Sequence, residues 1–169
     1  MEDIDAHLPY LRDLASHCDS IVEFGVREGQ GSTVAFAEGV NKRLTSYDVV
    51  PLVGLVHLDE ISNARGIELN LVQGDSLQVE IPECDFLFID SKHTYEQLSG
   101  ELARHHEKVK QYLGFHDTVT FGHRGEDGSV PGLVQAVADF QTQHPEWETF
   151  YHTPICNGLT ILKKRHAEG

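Results

Sequence analysis

The stretch from Ile21 to Thr33, I-V-E-F-G-V-R-E-G-Q-G-S-T, decides the fold. Its apolar, β-branched opening reads as a strand. Three glycines follow, Gly25, Gly29 and Gly31, and Ser32-Thr33 then open a segment of apolar periodicity. A strand that turns into a helix through glycines brings its backbone close to a ligand, because glycine takes positive φ without strain and has no Cβ in the way. A helix beginning near Ser32 would aim its free N–H groups at the same place. Glu23 lies at the mouth of this turn, where a carboxylate would repel a diphosphate and suit a cationic amino group. The spacing G-x-x-x-G-x-G also differs from the dinucleotide fingerprint, whose first two glycines are two apart. An ordinary tight strand–helix turn is the alternative reading.

Outward from this stretch, strand-like runs fall at 20–24, 44–48, 68–73, 86–90 and 112–116, with helical patterns between most of them. Ile4, Leu8, Leu11 and Ala15 share a helical face, with Asp3 or Asp5 as a start signal. A short helix spans 33–38, and the apolar link 50–66 predicts a helix starting after Pro51. Leu98, Leu102, His105 or His106, and Val109 form a stripe. Ser129 and Pro131 mark a last helix with Leu133, Val134, Val137 and Phe140 buried, stopped by His144-Pro145. Strands alternating with helices mean a parallel sheet covered on both faces. Runs at 147–152 and 158–163 then predict a closing antiparallel hairpin turning at Pro154–Asn157. The Gly-rich, charged stretch 121–128 is the candidate mobile loop.

With 169 residues, 40% of them hydrophobic, the chain suits one compact domain. A formal charge of -14 argues against nucleic acid as partner. No run of 18 apolar residues occurs and the N-terminus is acidic, so no membrane contact is expected and the location is read as cytoplasmic. Cys18, Cys84 and Cys156 are scattered and odd in number, which fits reduced core residues.

In an open parallel sheet, ligands bind beyond the carboxyl ends of the strands. Each of the five predicted parallel strands ends in or near an acid: Glu23, Asp48, Asp75 in G-D-S, Asp90 in D-S-K-H, and Asp117 in H-D-T. Their mutual repulsion gives a purely structural chain no reason to collect them on one edge. Asp48, twenty-five residues after Glu23, is placed to bond ribose hydroxyls.

The order E-F-G-V-R-E-G…S-T, S-Y-D, Q-G-D-S, F-I-D-S-K-H-T-Y and F-H-D-T resembles class I S-adenosylmethionine (SAM) methyltransferases of the methyltransferase 24 type, relatives of macrocin O-methyltransferase and cephalosporin-hydroxylase-like proteins. The resemblance runs from about Ser20 to Thr118 and more weakly through the hairpin. It implies a single Rossmann-like α/β domain with a seven-stranded, mostly parallel sheet. It also implies that Glu23 and Gly25 hold the cofactor's methionine end, with Gly29 and Ser32 in the same loop, Asp48 the ribose, and Asp75 with Ser76 the adenine end; Asp90 borders the cofactor. Two departures stand out. The glycine loop is one residue longer than the family's, and Val109-Lys110-Gln111 replaces a Pro-Gly-Gly turn before the fifth strand.

Asp90, His116 and Asp117, at neighbouring strand ends, are the candidate ligands of a divalent cation, Mg²⁺ or Mn²⁺. Metal-dependent members of the resembled group hold Mg²⁺ with an acid after the fourth strand and an acidic pair after the fifth; here the pair is His116-Asp117. The alternative is that this pair caps the strand. His93, three residues past Asp90, is the candidate general base, with Asp90 beside it; capping the helix near Tyr95 is its alternative role. His123 and His152 are further candidates, and His105 and His106 are read as solvated. The expected function is O-methylation of a hydroxylated small molecule such as a saccharide, with divalent-metal assistance. A second subunit completing the pocket would predict a homodimer. The rivals are a non-catalytic SAM-binding protein and an NAD-linked oxidoreductase.

Overall fold

The computed structural model describes residues 4–165. Seven strands form one sheet: β1 Ser20–Phe24, β2 Arg43–Asp48, β3 Glu68–Gln73, β4 Cys84–Ile89, β5 Val109–His116, β6 Trp147–Thr153 and β7 Leu159–Lys164, in the order β3-β2-β1-β4-β5-β7-β6. The first five are parallel, and β7 inserts antiparallel between β5 and β6. The order reverses between β1 and β4, which opens a crevice at their carboxyl ends.

The helices are α1 Leu8–Ala15, α2 Ser32–Gly39, α3 Val56–Arg65, α4 Tyr95–His105 and α5 Leu133–Gln143. Alternate residues of a strand face opposite ways, so the sheet has two apolar faces. Ile21, Phe86, Phe88 and Ile161 pack with Leu11, Leu14, Ala35 and Phe36 of α1 and α2. Val22, Leu87, Leu113 and Leu162 pack with Leu98, Leu102, Leu133 and Phe140 of α4 and α5. No helix among the described residues is long and apolar enough to cross a membrane. Cys18 and Cys84 are buried free thiols, and Cys156 is a free thiol in the β6–β7 turn.

Several boundaries differ from those the sequence predicts. Asp3 lies outside the described residues; Asp5–His7 is a 3-10 turn running into α1. The third helix begins at Val56 rather than after Pro51, because Gly54 holds φ at +74° and interrupts helical geometry. Val109-Lys110-Gln111 is part of β5, and the turn before it is the 3-10 segment His106–Lys108. On α5, Ala136 replaces Val134 in the buried stripe, and Val134 is 45% exposed.

Candidate active site

The glycine loop between β1 and α2 carries four positive-φ residues, Gly25, Arg27, Gly29 and Gly31. At two of the glycines protein neighbours stand where a side chain would begin. A Cβ on Gly25 would stand 2.1 Å from the carbonyl oxygen of Asp90, and one on Gly29 would meet Leu55 and Leu58 at 3.0 Å. Gly25 thus lets the end of β1 touch the end of β4. At Gly31 no side chain caps α2, so the first amides of that helix remain available.

Glu23 is not at the mouth of this loop. It is fully buried beneath α2, where Oε1 accepts the Ser32 hydroxyl at 2.6 Å and Oε2 the Ser46 hydroxyl at 2.9 Å. Burial pushes its pKa up to about 7, against the lowering effect of its hydroxyl partners. The reason lies in strand alternation: Glu23 faces the same way as Ile21, into the α1–α2 layer. Asp48 acts as a clamp. Its Oδ2 accepts the amides of Val26 and Arg27, both at 2.8 Å, and its Oδ1 the amide of Val50 at 3.1 Å. Burial opposes ionisation of Asp48, but bonds from Arg27, Val26, Val50 and Val49 outweigh it and hold the pKa below the usual value.

A cavity of about 470 Å³ is lined by Gly25, Val26, Arg27, Gln30, Ser32 and Asp90, among others. A second of about 430 Å³ is lined by Asp48, Asp75, Ser76, Asp90, His93 and Glu126, among others. Of the expected cofactor residues, Gly25, Ser32, Asp48, Asp75, Ser76 and Asp90 therefore border open space. Neither lining includes Glu23 or Gly29. Asp90 is common to both cavities.

Beyond Asp90 the ends of β4 and β5 bring four side chains together. His93 Nε2 lies 3.0 Å from both Asp90 Oδ1 and Asp117 Oδ2, and His93 Nδ1 lies 2.9 Å from Glu126 Oε2. His116 Nδ1 lies 3.5 Å from the same two oxygens, too far for a good hydrogen bond. Its Nε2 lies 3.0 Å from the carbonyl oxygen of Cys156. A carbonyl only accepts, so Nε2 carries the proton and Nδ1 is left buried without a partner. Asp90, His93 and Asp117 form a compact candidate metal group.

This geometry does not favour His93 as a general base. Burial alone would lower its pKa, but Asp117, Asp90 and Glu126 outweigh that and lift it to about 10. Without a cation at this point the ring is an imidazolium at neutral pH, with no lone pair to accept a proton. Burial likewise opposes ionisation of Asp90, yet the imidazoles of His116 and His93 hold it well below the usual carboxylate range. Capping of α4 falls to Thr94, whose Oγ1 accepts the Gln97 amide. His123 and His152 are exposed and stand outside the cluster.

The segment 121–128 is fastened rather than loose. Glu126 N donates to the His93 carbonyl at 3.0 Å, Gly125 N to the Ser129 carbonyl at 2.9 Å, and the Phe121 ring stacks on His93. Glu126 therefore grips His93 through both backbone and side chain, a role with no periodic signal in the sequence. A second polar group was also missed. Glu101 is fully buried, and its Oε1 accepts the hydroxyls of Ser76 and Ser91 and the amide of Gln97. His105 is buried too, not solvated, with Nε2 2.6 Å from the Ser76 carbonyl oxygen. The signal was available: Leu98, Glu101, Leu102 and His105 follow the i, i+3, i+4, i+7 rule of one buried face.

No family model matches the chain, and no curated protein does. Solved structures do. An O-methyltransferase from Bacillus cereus in complex with SAH superposes with TM-score 0.67 at 17% identity, covering 95% of this chain and 81% of that one. The N-methyltransferase NodS from Bradyrhizobium japonicum, in complex with S-adenosyl-l-homocysteine, gives 0.67 at 14%, covering 95% and 87%. The SAH-bound methyltransferase PaMTH1 from Podospora anserina gives 0.65 at 16%, covering 95% and 78%. At such identities the likeness establishes architecture: the chain has the seven-stranded, Rossmann-like fold found in methyltransferases.

Proposed function

We propose that this chain is a SAM-dependent methyltransferase acting on a hydroxyl of a small molecule, a saccharide among the acceptors it suits, with a divalent cation at the sheet edge. The observation that carries the reading is the meeting of two cavities at Asp90, one under the open amides of α2 and one beside the histidine–carboxylate cluster. SAH in the related folds supports the cofactor class, and the B. cereus O-methyltransferase supports an oxygen acceptor.

SAM would supply an electrophilic methyl group. The chain's part is to place it. The amides at the start of α2 suit the cofactor's carboxylate, and Asp48 keeps spare lone pairs beside its backbone donors for a ribose hydroxyl. Asp75 and Ser76 border the far end of the second cavity. Much of the rate would come from holding two reactants in line.

The partnerless Nδ1 of His116, between two carboxylates, fits a cation held by Asp90, His116 and Asp117. Such an ion, Mg²⁺ or Mn²⁺, supplies Lewis acidity that lowers a hydroxyl's pKa. The test is calorimetric titration with S-adenosylhomocysteine and, separately, NAD. Binding of the first alone is expected; binding of NAD alone, or of neither, would overturn the reading.

A further inference from the structure

We propose that Asp90, His93, His116 and Asp117 form a two-histidine, two-carboxylate centre for a transition-metal dication of the manganese, iron(II) or zinc class, to the exclusion of magnesium. Glu126 acts as the positioning residue for His93. The inference deepens the reading of this edge as a cation site and rests on that part of the proposed function. It moves His93 from the base's role to that of a ligand.

Both imidazoles are arranged in the same way. His116 turns Nε2 outward to the Cys156 carbonyl and Nδ1 inward. His93 turns Nδ1 outward to Glu126 Oε2 and Nε2 inward. Metal-binding histidines characteristically donate their second N–H to a carboxylate or carbonyl, which fixes the tautomer and aims the other nitrogen's lone pair. Here both kinds of outer partner occur, one on each ring. The inward nitrogens converge on one pair of oxygens, Asp90 Oδ1 and Asp117 Oδ2.

The spacing agrees with this. Bonds of about 2.1 Å to one ion place neighbouring ligand atoms about 3.0 Å apart in an octahedron and about 3.4 Å in a tetrahedron. The separations between ring nitrogens and carboxylate oxygens are 3.0 and 3.5 Å. The inward atoms of Asp90, His93 and Asp117 all lie within 4.8 Å of one another, and His116 Nδ1 stands at the margin of that group, 3.5 Å from its two carboxylate oxygens. The His116 side chain is 1% exposed, so water has little access to its partnerless Nδ1. A lone pair facing two carboxylates is repelled by them; a dication between the four atoms turns that repulsion into coordination.

Charge and donor type then choose the ion. Two neutral imidazoles and two carboxylates carry a charge that a dication cancels. Magnesium prefers oxygen ligands and keeps its waters, whereas imidazole suits zinc, iron and copper-type ions, with carboxylates drawing the choice back toward manganese. Glu126 is 39% exposed at its side chain, so it can be changed without opening the core.

The experiment uses the full chain, stripped with EDTA and titrated calorimetrically with MnCl₂, ZnCl₂ and MgCl₂. CoCl₂ is followed by visible absorption for the bands of an imidazole-ligated ion. One equivalent of manganese or zinc is expected, at least about 100-fold tighter than magnesium. Glu126→Ala should weaken manganese binding about 10- to 100-fold, and Glu126→Gln, which keeps an acceptor, should recover part of it. His93→Ala should lose more; should it fail to fold, the exposed Glu126 pair still decides. No binding, equal affinity for magnesium, or unchanged manganese affinity in Glu126→Ala overturns the proposal. S-adenosylhomocysteine titrated into the same samples reports the methyltransferase reading separately. Cofactor binding without manganese binding sinks only the metal centre, and the reverse sinks only the cofactor.

Discussion

The two acidic regions at the carboxyl edge of the sheet are built on opposite terms. Around the glycine loop the two inner acids are answered from within: Glu23 by two serine hydroxyls, Asp48 by three backbone amides. Around β4 and β5, two carboxylates crowd two imidazoles and one buried nitrogen goes unanswered. In the first region Asp48 holds a backbone in place and Glu23 holds two serine side chains. In the second, the buried Nδ1 of His116 faces two carboxylates with no hydrogen-bond partner. A carboxylate at a strand end is therefore not in itself a sign of chemistry; what separates the two regions is whether the carboxylates meet hydroxyls and amides or crowd against imidazoles.

Gly25→Ala strikes the junction of the two regions, forcing a methyl against the Asp90 carbonyl at positive φ. A loss above about 4 kcal/mol is expected in urea unfolding, and near-normal stability would show that the two strand ends do not depend on that contact. Next comes pH. The Glu23 carboxyl is raised from 4.5 to about 7 by burial. Its contribution to stability is thus complete below pH 4.5 and lost as pH rises to 7, by up to about 3 kcal/mol. Glu23→Gln should flatten that decline, and an unchanged slope would place the proton elsewhere.

Asp48→Ala sharpens the comparison from the other side. Freeing the Val26 and Arg27 amides should weaken S-adenosylhomocysteine binding about tenfold while leaving manganese affinity alone. A parallel fall in both would mean the regions are coupled. The smallest effect is expected of Ser46→Ala, which removes one of the two donors to Glu23 and should cost about 1 kcal/mol; thermal denaturation at pH 6 would resolve it.

Much of this architecture was legible from strand-like runs alone. β1, buried on both faces, and β3, a half-exposed edge strand, both span the residues the sequence predicts. The edge on which Asp48, Asp90, His116 and Asp117 gather follows from strand ends alone. What was not legible is direction and distance. Whether Glu23 faces the cavity or the α1–α2 layer depends on the pleat at the last turn of β1, and one residue of register reverses it. Glu126 reaches His93 from 33 residues away through a loop with no periodicity. Glu101 was readable, since it keeps helical step with Leu98 and Leu102, but an acid in an apolar stripe is easily set aside on composition.

The position of β7 has a consequence for how the molecule assembles. It is the seventh strand in chain order, yet it lies inside the sheet, pairing with β5 from Tyr112–Lys163 to His116–Leu159. Until residues 159–164 arrive, β5 presents an open edge able to pair with any passing strand. His116 also lacks the Cys156 carbonyl that turns its ring. The contacts that complete the cluster thus join parts of the chain far apart in sequence, and such contacts form slowly. In a growing or refolding chain this cluster of side chains is among the last to take its final form.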